Sequence, residues 1–516
     1  MSIIITIPKE AAGMRLSDYL NQTGHAHAHP CGGKGTCQKC KVQQIEGCFA
    51  SVSDPNQTLL PDENGYILSC RAVCRTEGAV ISVSSVKGLG LVTEEEALLP
   101  SCEDASYAVA LDIGTTTLAA ALVEQNEKKV IATASALNPQ SGYGADVMSR
   151  IAACDEGHLE EMQSVLLEAV SHLLQTLRSK ADLSPLANLK EMSVAGNPTM
   201  LHIFSGVSPV GMGRYPFTPA FLDSKVFSGD ALGLACERVT VLPSASAFIG
   251  SDVLGGALTE KMLDQEEATL LIDIGTNGEM LLCTGKKRGN ALFATSAAAG
   301  PALEGANISC GMGGVAGAVC KIEYEVDAVA PVFRTVDDAK PAGLCGSGLV
   351  DFAAYLLKSG QLDETGSLEK ESVDLIGYHQ TEQGRRFTKA NVMLKDKDIR
   401  ALQLAKSAIR AAIETLVDHA GISLCDINAT YLAGGLGYYI DKASAVSIGL
   451  LPSELLTNAI SVGNTALSGA VYCLCHEMGC RQMQNLAGVC QTVELNDTVM
   501  FSELFVEHMM FPCDGE

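Results

Sequence analysis

The chain has 516 residues, which is too long for a single hydrophobic core and predicts two or three domains. Its formal net charge of −24 at pH 7 argues against nucleic-acid binding, which needs a basic face. The sequence contains no apolar run of the roughly 18 residues that a membrane helix needs, and its N-terminus is predicted to be a strand rather than a signal peptide. Nineteen cysteines without an export signal indicate a reducing cytoplasm, where thiols are free or bound to metal.

Residues 1–84 are predicted to form a compact N-terminal unit. Strands are expected at 3–7, 41–45, 66–69 and 80–83, and a short helix near 15–20. Several short strands, one helix and a cysteine-rich loop at this size suggest the β-grasp fold of a ferredoxin.

Four cysteines of this unit, Cys31, Cys37, Cys40 and Cys70, follow the spacing C-x5-C-x2-C-x29-C. A [2Fe–2S] cluster needs four thiolates around two irons, here three from a glycine-containing loop and one from a returning strand. The alternative is a zinc site, but a zinc ribbon needs two CxxC pairs, and three residues separate Cys70 from Cys74. The spacing therefore predicts a [2Fe–2S] cluster.

Other cysteines and histidines near this loop have no predicted role in the cluster. Cys48 and Cys74 are expected to be free thiols. His25, His27 and His29 alternate just before the loop, but no fourth ligand for a metal can be named beside them. We expect the three histidines to be polar loop residues.

Residues 85–105 carry few large apolar residues and an acidic run, so they are predicted to be a linker. A strand at 107–112 then leads into a loop that begins Asp112-Ile-Gly-Thr, and a strand at 119–123 follows. The same strand, loop and strand return at 269–283, where the loop begins Asp273-Ile-Gly-Thr. This duplication predicts two lobes, 106–268 and 269–516. Within the lobes we expect helices at 159–180 and 398–417 and a strand at 429–432.

Paired loops of this kind grip the β- and γ-phosphates in ATPases of the actin, sugar kinase and heat-shock protein class. Asp112 and Asp273 are the predicted catalytic residues, which hold Mg²⁺ mostly through water. Glycines let the backbone approach the phosphates, and hydroxyl and N–H groups donate to them. The predicted nucleotide-binding residues are Gly114, Thr115, Thr116, Gly275, Thr276, Asn277, Gly434 and Gly435. Gly434 and Gly435 follow a strand and are predicted to form the loop that contacts the adenosine. The alternative is that they form a helix-capping turn.

A further glycine turn, at 343–351, opens a predicted helix and contains Cys345. In activators of 2-hydroxyacyl-CoA dehydratases, a cysteine on such a turn binds a shared [4Fe–4S] cluster. We do not expect that role here, because the N-terminal unit already supplies a cluster.

Taken together, these stretches resemble the reductive activators of corrinoid-dependent methyltransferase systems. The resemblance spans nearly the whole chain and rests on residues 30–37, 111–117, 136–140, 143–146, 195–200, 272–279, 299–307 and 433–435. It implies a mixed α+β and α/β protein: an N-terminal β-grasp 2Fe-2S ferredoxin domain followed by an actin-like (ASKHA, ribonuclease H-like) two-lobed ATPase domain.

The resemblance also implies a function. ATP-dependent reduction of a corrinoid protein from Co(II) to Co(I) through the cluster is expected, with a [2Fe–2S] cluster, ATP and Mg²⁺ as cofactors. The implied partners are a corrinoid methyl carrier and an external low-potential donor such as ferredoxin or flavodoxin, and a homodimer is left open. Larger family members have a further domain between the two modules, and we expect this middle domain to be missing here.

Two other functions remain open from the residues. One is an actin-like small-molecule kinase with a redox-sensing [2Fe–2S] domain, although no catalytic base or substrate pocket of that kind is evident. The other is an activator of an enzyme of the 2-hydroxyacyl-CoA dehydratase type.

Overall fold

The protein is described from a computed structural model. The structure describes residues 2–23, 40–55, 57–62, 65–75, 78–84, 106–144, 146–184, 189–324 and 330–512. The predicted linker 85–105 lies outside the described residues, as do Cys31, Cys37 and the three histidines before them. Within the described ranges, no helix combines the length and apolar character that crossing a membrane requires.

The N-terminal unit consists of two small antiparallel sheets and one helix. Its elements are β1 (Ser2–Ile7), α1 (Leu16–Gln22), β2 (Lys41–Gly47), β3 (Phe49–Ser51), β4 (Thr58–Leu59), β5 (Tyr66–Leu68), β6 (Ala72–Val73) and β7 (Ala79–Ser84). One sheet has the order β1-β7-β2-β5 and the other β4-β3-β6. Leu16, Leu20, Phe49 and Ile81 are fully buried between them. The four predicted strands and the predicted helix are confirmed.

Residues 107–259 build a six-stranded sheet with helices packed on it. The elements are β8 (Tyr107–Ile113), β9 (Thr117–Glu124), β10 (Lys129–Leu137), α2 (Val147–Asp155), α3 (Leu159–Lys180), β11 (Leu189–Gly196), α4 (Pro198–Phe204), β12 (Lys225–Ser228), β13 (Arg238–Val241) and α5 (Ser251–Thr259). The strand order is β10-β9-β8-β11-β13-β12. The predicted helix 159–180 is α3, whose apolar face, including Leu166 and Val170, is buried against the sheet.

The remaining residues form a second six-stranded sheet and an inserted five-stranded sheet. The elements are β14 (Ala268–Ile274), β15 (Gly278–Cys283), β16 (Leu292–Ala297), β17 (Ala318–Glu323), β18 (Val332–Thr335), β19 (Gly343–Leu344), α6 (Gly346–Lys358), β20 (Ser372–Thr381), β21 (Gly384–Lys395), α7 (Asp396–His419), β22 (Ile427–Ala433), α8 (Gly434–Tyr439), α9 (Lys442–Ser447), β23 (Ala459–Gly463), α10 (Thr465–Cys475), α11 (Gly479–Val489), β24 (Cys490–Thr492) and α12 (Val499–Glu507). The strand orders are β23-β22-β14-β15-β16-β24 and β19-β17-β18-β20-β21.

Five strands of each six-stranded sheet repeat one topology, and the sixth strands, β12 and β24, lie at opposite edges. In each, an antiparallel hairpin carries the aspartate loop, and a later strand pairs in parallel with the first strand of that hairpin. The registers also match, because Asp112 pairs with Ala195 and Asp273 pairs with Ala433. The duplication predicted from the sequence is therefore confirmed at the level of strand pairing.

Helices α5 and α10 join the two halves. A buried core lies between the sheets and contains side chains from both of them together with both helices. Where the helices cross, a Cβ added to Gly469 would lie 2.4 Å from Cα of Gly255. The backbones can approach so closely only because both residues are glycine.

Candidate functional site: two buried cysteines and two facing phosphate loops

Cys40 and Cys70 lie side by side in the core of the N-terminal unit. Cys40 directly precedes β2, and Cys70 lies in the short turn after β5, the neighbouring strand. Their Sγ atoms are 3.2 Å apart, and each residue is 1% exposed. This distance is much longer than the roughly 2.05 Å of a disulfide bond. Two adjacent buried sulfurs fit ligands of one metal centre, and the other two predicted ligands, Cys31 and Cys37, lie outside the described residues.

The other predicted thiols have different surroundings. Cys48 and Cys74 form no disulfide, and burial raises the pKa of the Cys74 thiol to about 11, so this thiol is unreactive near neutral pH. Cys345 is buried at the start of α6, where its thiol donates to the carbonyl of Val319 at 3.3 Å. Its buried position argues against a cluster shared with another chain.

The two aspartate loops are closed in similar ways but differ in length by one residue. In the first, the N–H of Gly114 donates to the carbonyl of Thr117 at 3.0 Å, and in the second, that of Gly275 donates to the carbonyl of Asn277 at 3.0 Å. Each loop closes a hairpin directly after its aspartate. The loops come from different halves of the chain, and Asn197 of the first half and Asn277 of the second loop line one small cleft.

Five carboxylates gather around these loops: Asp112, Asp252, Asp273, Glu279 and Glu304. Burial raises the pKa of Asp112 to about 7, against the opposing effect of a 2.8 Å hydrogen bond from Asn464. Burial likewise raises the pKa of Asp273 to about 7, and the charges of Asp252, Asp112 and Glu304 raise it further. Burial also raises the pKa of Glu279 well above its usual range. So much uncompensated negative charge favours the binding of a cation.

The residues fit a magnesium–phosphate group. Hard oxygen ligands such as these carboxylates are the ones Mg²⁺ prefers. In the second loop, the hydroxyl of Thr276 is buried and has no hydrogen-bond partner among the described residues. A buried hydroxyl of this kind is costly unless another group satisfies it, and a phosphate oxygen would do so.

Three polar side chains, of which Arg150 and Asn138 are buried, hold the first loop by hydrogen bonds. The Arg150 guanidinium, 1% exposed, donates to the carbonyl of Thr115 at 2.5 Å. Asn138 donates to the carbonyl of Gly114 at 2.8 Å, and Asn197 donates to the hydroxyl of Thr115 at 3.1 Å. None of these three side chains was predicted to have a role from the sequence. Two of them, Asn138 and Asn197, lie within the stretches that carry the family resemblance. Their place in those stretches was the one sign in the sequence that they have a role.

Gly434 and Gly435 begin the short helix α8 at the end of β22, so the strand-to-turn placement is as expected. Gly434 has φ +78°, and a Cβ added there would lie 2.3 Å from Oδ1 of Asp273. A Cβ on Gly435 would meet nothing within 4 Å.

These two glycines give a matched pair of variants. We expect Gly434→Ala to lose ATP binding, because the added methyl group displaces the Asp273 carboxylate and the backbone conformation is strained. Gly435→Ala adds a methyl group that meets no protein atom and leaves Asp273 in place, so it should weaken binding less, through contact with the nucleoside alone. Titration calorimetry with ATP measures both variants, and equal affinities would contradict the predicted role of Gly434.

Family models and known proteins match the chain along its whole length. A 2Fe-2S iron-sulfur cluster binding domain matches residues 5–75, the RACo middle region matches 107–265, and the C-terminal ASKHA domain of RACo matches 267–516. The chain is 31% identical to "Corrinoid activation enzyme RamQ" of Eubacterium limosum, over 78% of this chain and 70% of that protein. It is 26% identical to the "[Co(II) methylated amine-specific corrinoid protein] reductase" of Methanosarcina barkeri, over 70% and 68% of the two chains.

A solved structure described as "Reductive activator for corrinoid,iron-sulfur protein" superposes with a TM-score of 0.70 at 25% identity. The match covers 98% of this chain and 96% of the other. The match to the middle region over 107–265 also shows that the expectation of a missing middle domain is wrong: this region forms the sheet around β8. With a ferredoxin-type domain, an ASKHA domain and a relative of this identity and coverage, the chain belongs to the family of reductive activators of corrinoid proteins.

Proposed function

We propose that this protein uses ATP to reduce the corrinoid of a partner protein from Co(II) to Co(I), one electron at a time, through a [2Fe–2S] cluster. One observation carries this proposal. A single chain of this family contains both a buried cysteine pair and two copies of a phosphate loop. The cysteine pair suits a cluster that carries electrons, and the two loops suit the binding of ATP between them.

On the electron-transfer side, Cys31, Cys37, Cys40 and Cys70 would hold the cluster, which supplies one-electron chemistry when bound. The Sγ contact between Cys40 and Cys70 and their burial support this ligand set for two of the four cysteines. Burial keeps water away from both sulfurs.

On the ATP side, Asp112 and Asp273 would face one Mg²⁺ ion. The backbone and hydroxyl groups of 114–116 and 275–277 would donate to the phosphates, with Gly434 and Gly435 beside the nucleoside. The raised pKa values of the two aspartates and the partnerless Thr276 hydroxyl support this arrangement. Asn464 holds the Asp112 carboxylate in place by its 2.8 Å hydrogen bond.

ATP is needed because the electron transfer is uphill. Plant-type [2Fe–2S] clusters have potentials near about −400 mV, and Co(I) requires a lower potential. Each ~59 mV of shortfall in a one-electron step is a tenfold loss in equilibrium. Closure of the two lobes around ATP, or removal of an axial cobalt ligand when the partner docks, would offset this loss.

The partner proteins and the domain boundaries are part of the same proposal. The corrinoid methyl carrier is the electron acceptor, and an external donor such as a low-potential ferredoxin or flavodoxin supplies electrons in the cytoplasm; a homodimer is one candidate assembly. We propose the ferredoxin domain at 1–84, the linker at 85–105 and the two ATPase lobes at 106–268 and 269–516. The linker would let the ferredoxin domain move between donor and acceptor.

The test is spectroscopic. The protein, a chemical reductant, Mg²⁺-ATP and a Co(II) corrinoid protein are mixed without oxygen, and the Co(I) absorption band is followed. We expect the band to appear with ATP and to be absent without it. Equal formation of Co(I) without ATP, or formation of a phosphorylated small molecule in place of Co(I), would contradict the proposal.

A further inference from the structure

Glu304 lies between the two phosphate loops. It ends the short turn Pro301–Glu304, between Gly300 and Gly305 with φ +77° and +78°. Its Oε2 accepts a 2.7 Å hydrogen bond from the hydroxyl of Thr116 in the first loop. Its Oε1 is 3.5 Å from the position that a Cβ would take on Gly275 in the second loop. One carboxylate thus reaches the tips of both loops.

The turn that carries Glu304 is firmly fixed to the second lobe. Ala302 and Leu303 are buried. A Cβ on Gly346, at the start of α6, would lie 1.8 Å from the carbonyl oxygen of Leu303, and one on Gly305 would lie 2.4 Å from that of Met312. The backbone of the turn is therefore in close contact on two sides, and its glutamate is presented to the cleft by a rigid support. The hydrogen bond from Thr116, which belongs to the first lobe, consequently joins the two lobes.

The Thr116 hydroxyl has a single proton and donates one hydrogen bond at a time. It cannot donate to Glu304 and to a phosphate oxygen together. The Glu304 carboxylate and a phosphate are also both anionic, and they would repel each other at this distance. Glu304 and the terminal phosphate of ATP therefore compete for the same donor.

We propose that Glu304 is an interlobe latch whose carboxylate holds Thr116 until the terminal phosphate of ATP displaces it. This inference rests on the proposed binding of ATP between the loops. It makes Glu304 a positioning residue that sets the affinity for ATP and distinguishes ATP from ADP, because ADP lacks the phosphate that competes. When ATP binds, the hydrogen bond between Thr116 and Glu304 is lost, and the two lobes are joined through the nucleotide instead.

Glu304→Gln tests the latch, since it keeps the size of the side chain and removes its charge. We expect affinity for a non-hydrolysable ATP analogue with Mg²⁺ to rise about five- to tenfold, with affinity for Mg²⁺-ADP unchanged. Glu304→Asp, which keeps the charge but shortens the side chain, should fall between wild type and Glu304→Gln. Glu454→Gln, an exposed site on the same lobe, is the matched control and should change neither affinity. Calorimetry measures all four proteins, and thermal melting checks that each is folded.

A second measurement tests the partner of the latch. Thr116→Val should weaken binding of the ATP analogue, and adding Glu304→Gln to it should bring a smaller gain than in the wild type, because the shared contact is already lost and only the charge repulsion remains. Equal or weaker ATP binding by Glu304→Gln, an equal change for ADP, or additive effects in the double variant would overturn the latch. Failure of the wild type to bind ATP would instead overturn the proposed function.

Discussion

Replacing Cys70 with serine is expected to remove the visible absorption of the iron–sulfur cluster and to abolish Co(I) formation. Cys70 is 1% exposed and in contact with Cys40, so its sulfur cannot be replaced by another side chain from the surface. A serine oxygen is a poor substitute for a thiolate, which iron–sulfur clusters use as their ligand. The measurements are the absorption spectrum and iron content of the purified variant and the Co(I) assay described above.

ATP hydrolysis provides the internal control for this variant. It should persist, because Cys70 lies in the N-terminal unit and the phosphate loops lie beyond residue 106. Cys48→Ser is the matched variant: Cys48 is a free, partly exposed cysteine of the same unit and should keep the full cluster spectrum. An unchanged spectrum in Cys70→Ser, or zinc in place of iron in the wild type, would contradict the cluster assignment.

Replacing Asp273 with alanine is expected to lower ATP hydrolysis by at least about a hundredfold and to leave the cluster spectrum intact. A metal ion on a phosphoryl group contributes several kcal/mol of charge stabilisation, which is lost with its ligand. Asp418→Ala, on the exposed side of α7, is the control and should hydrolyse ATP at the wild-type rate. Wild-type rates in Asp273→Ala would refute the assignment of the second phosphate loop.

The same aspartates predict a pH dependence. Burial raises the pKa of Asp112 and of Asp273 to about 7, and a carboxylate must lose its proton before it can hold a cation. Affinity for Mg²⁺-ATP should therefore increase as the pH rises through about 7 and decrease below it. A flat profile between about pH 6 and pH 8 would show that these carboxylates do not hold the metal.

The sequence predicted the elements that have a strong local pattern. Continuous apolar runs identified the strands that lead into Asp112 and Asp273, and a helical period identified α3. The five-stranded sheet was not predicted. Strands β18 and β20 pair across a long stretch of chain, which no local pattern records. Strands β20 and β21, however, form a hairpin in which the buried Ala390, Val392 and Leu394 alternate with exposed residues, so this part of the sheet had a strand pattern that was missed.

Much of the candidate site was also invisible to local patterns. The hydrogen bond from Asn464 to Asp112 spans 352 residues, and that from Thr116 to Glu304 spans 188. Only the folded chain brings such side chains together, so spacing cannot identify them. The duplicated loops were found because each is complete within a few residues, whereas Arg150, Asn138 and Glu304 act from other elements.

The repeated topology has one more consequence, for the direction in which a nucleotide can lie. Ala195 and Ala433 have equivalent registers, but the two segments diverge directly after them, because α4 begins at Pro198 and α8 already at Gly434. Asn197 turns its side chain toward Thr115 and caps α4, whereas Gly435 presents bare backbone. A near-symmetric pair of halves would accept a ligand in either of two orientations. Asn197 on one side and a glycine on the other make the two halves unequal, so we expect the nucleoside end of ATP to lie toward the C-terminal half.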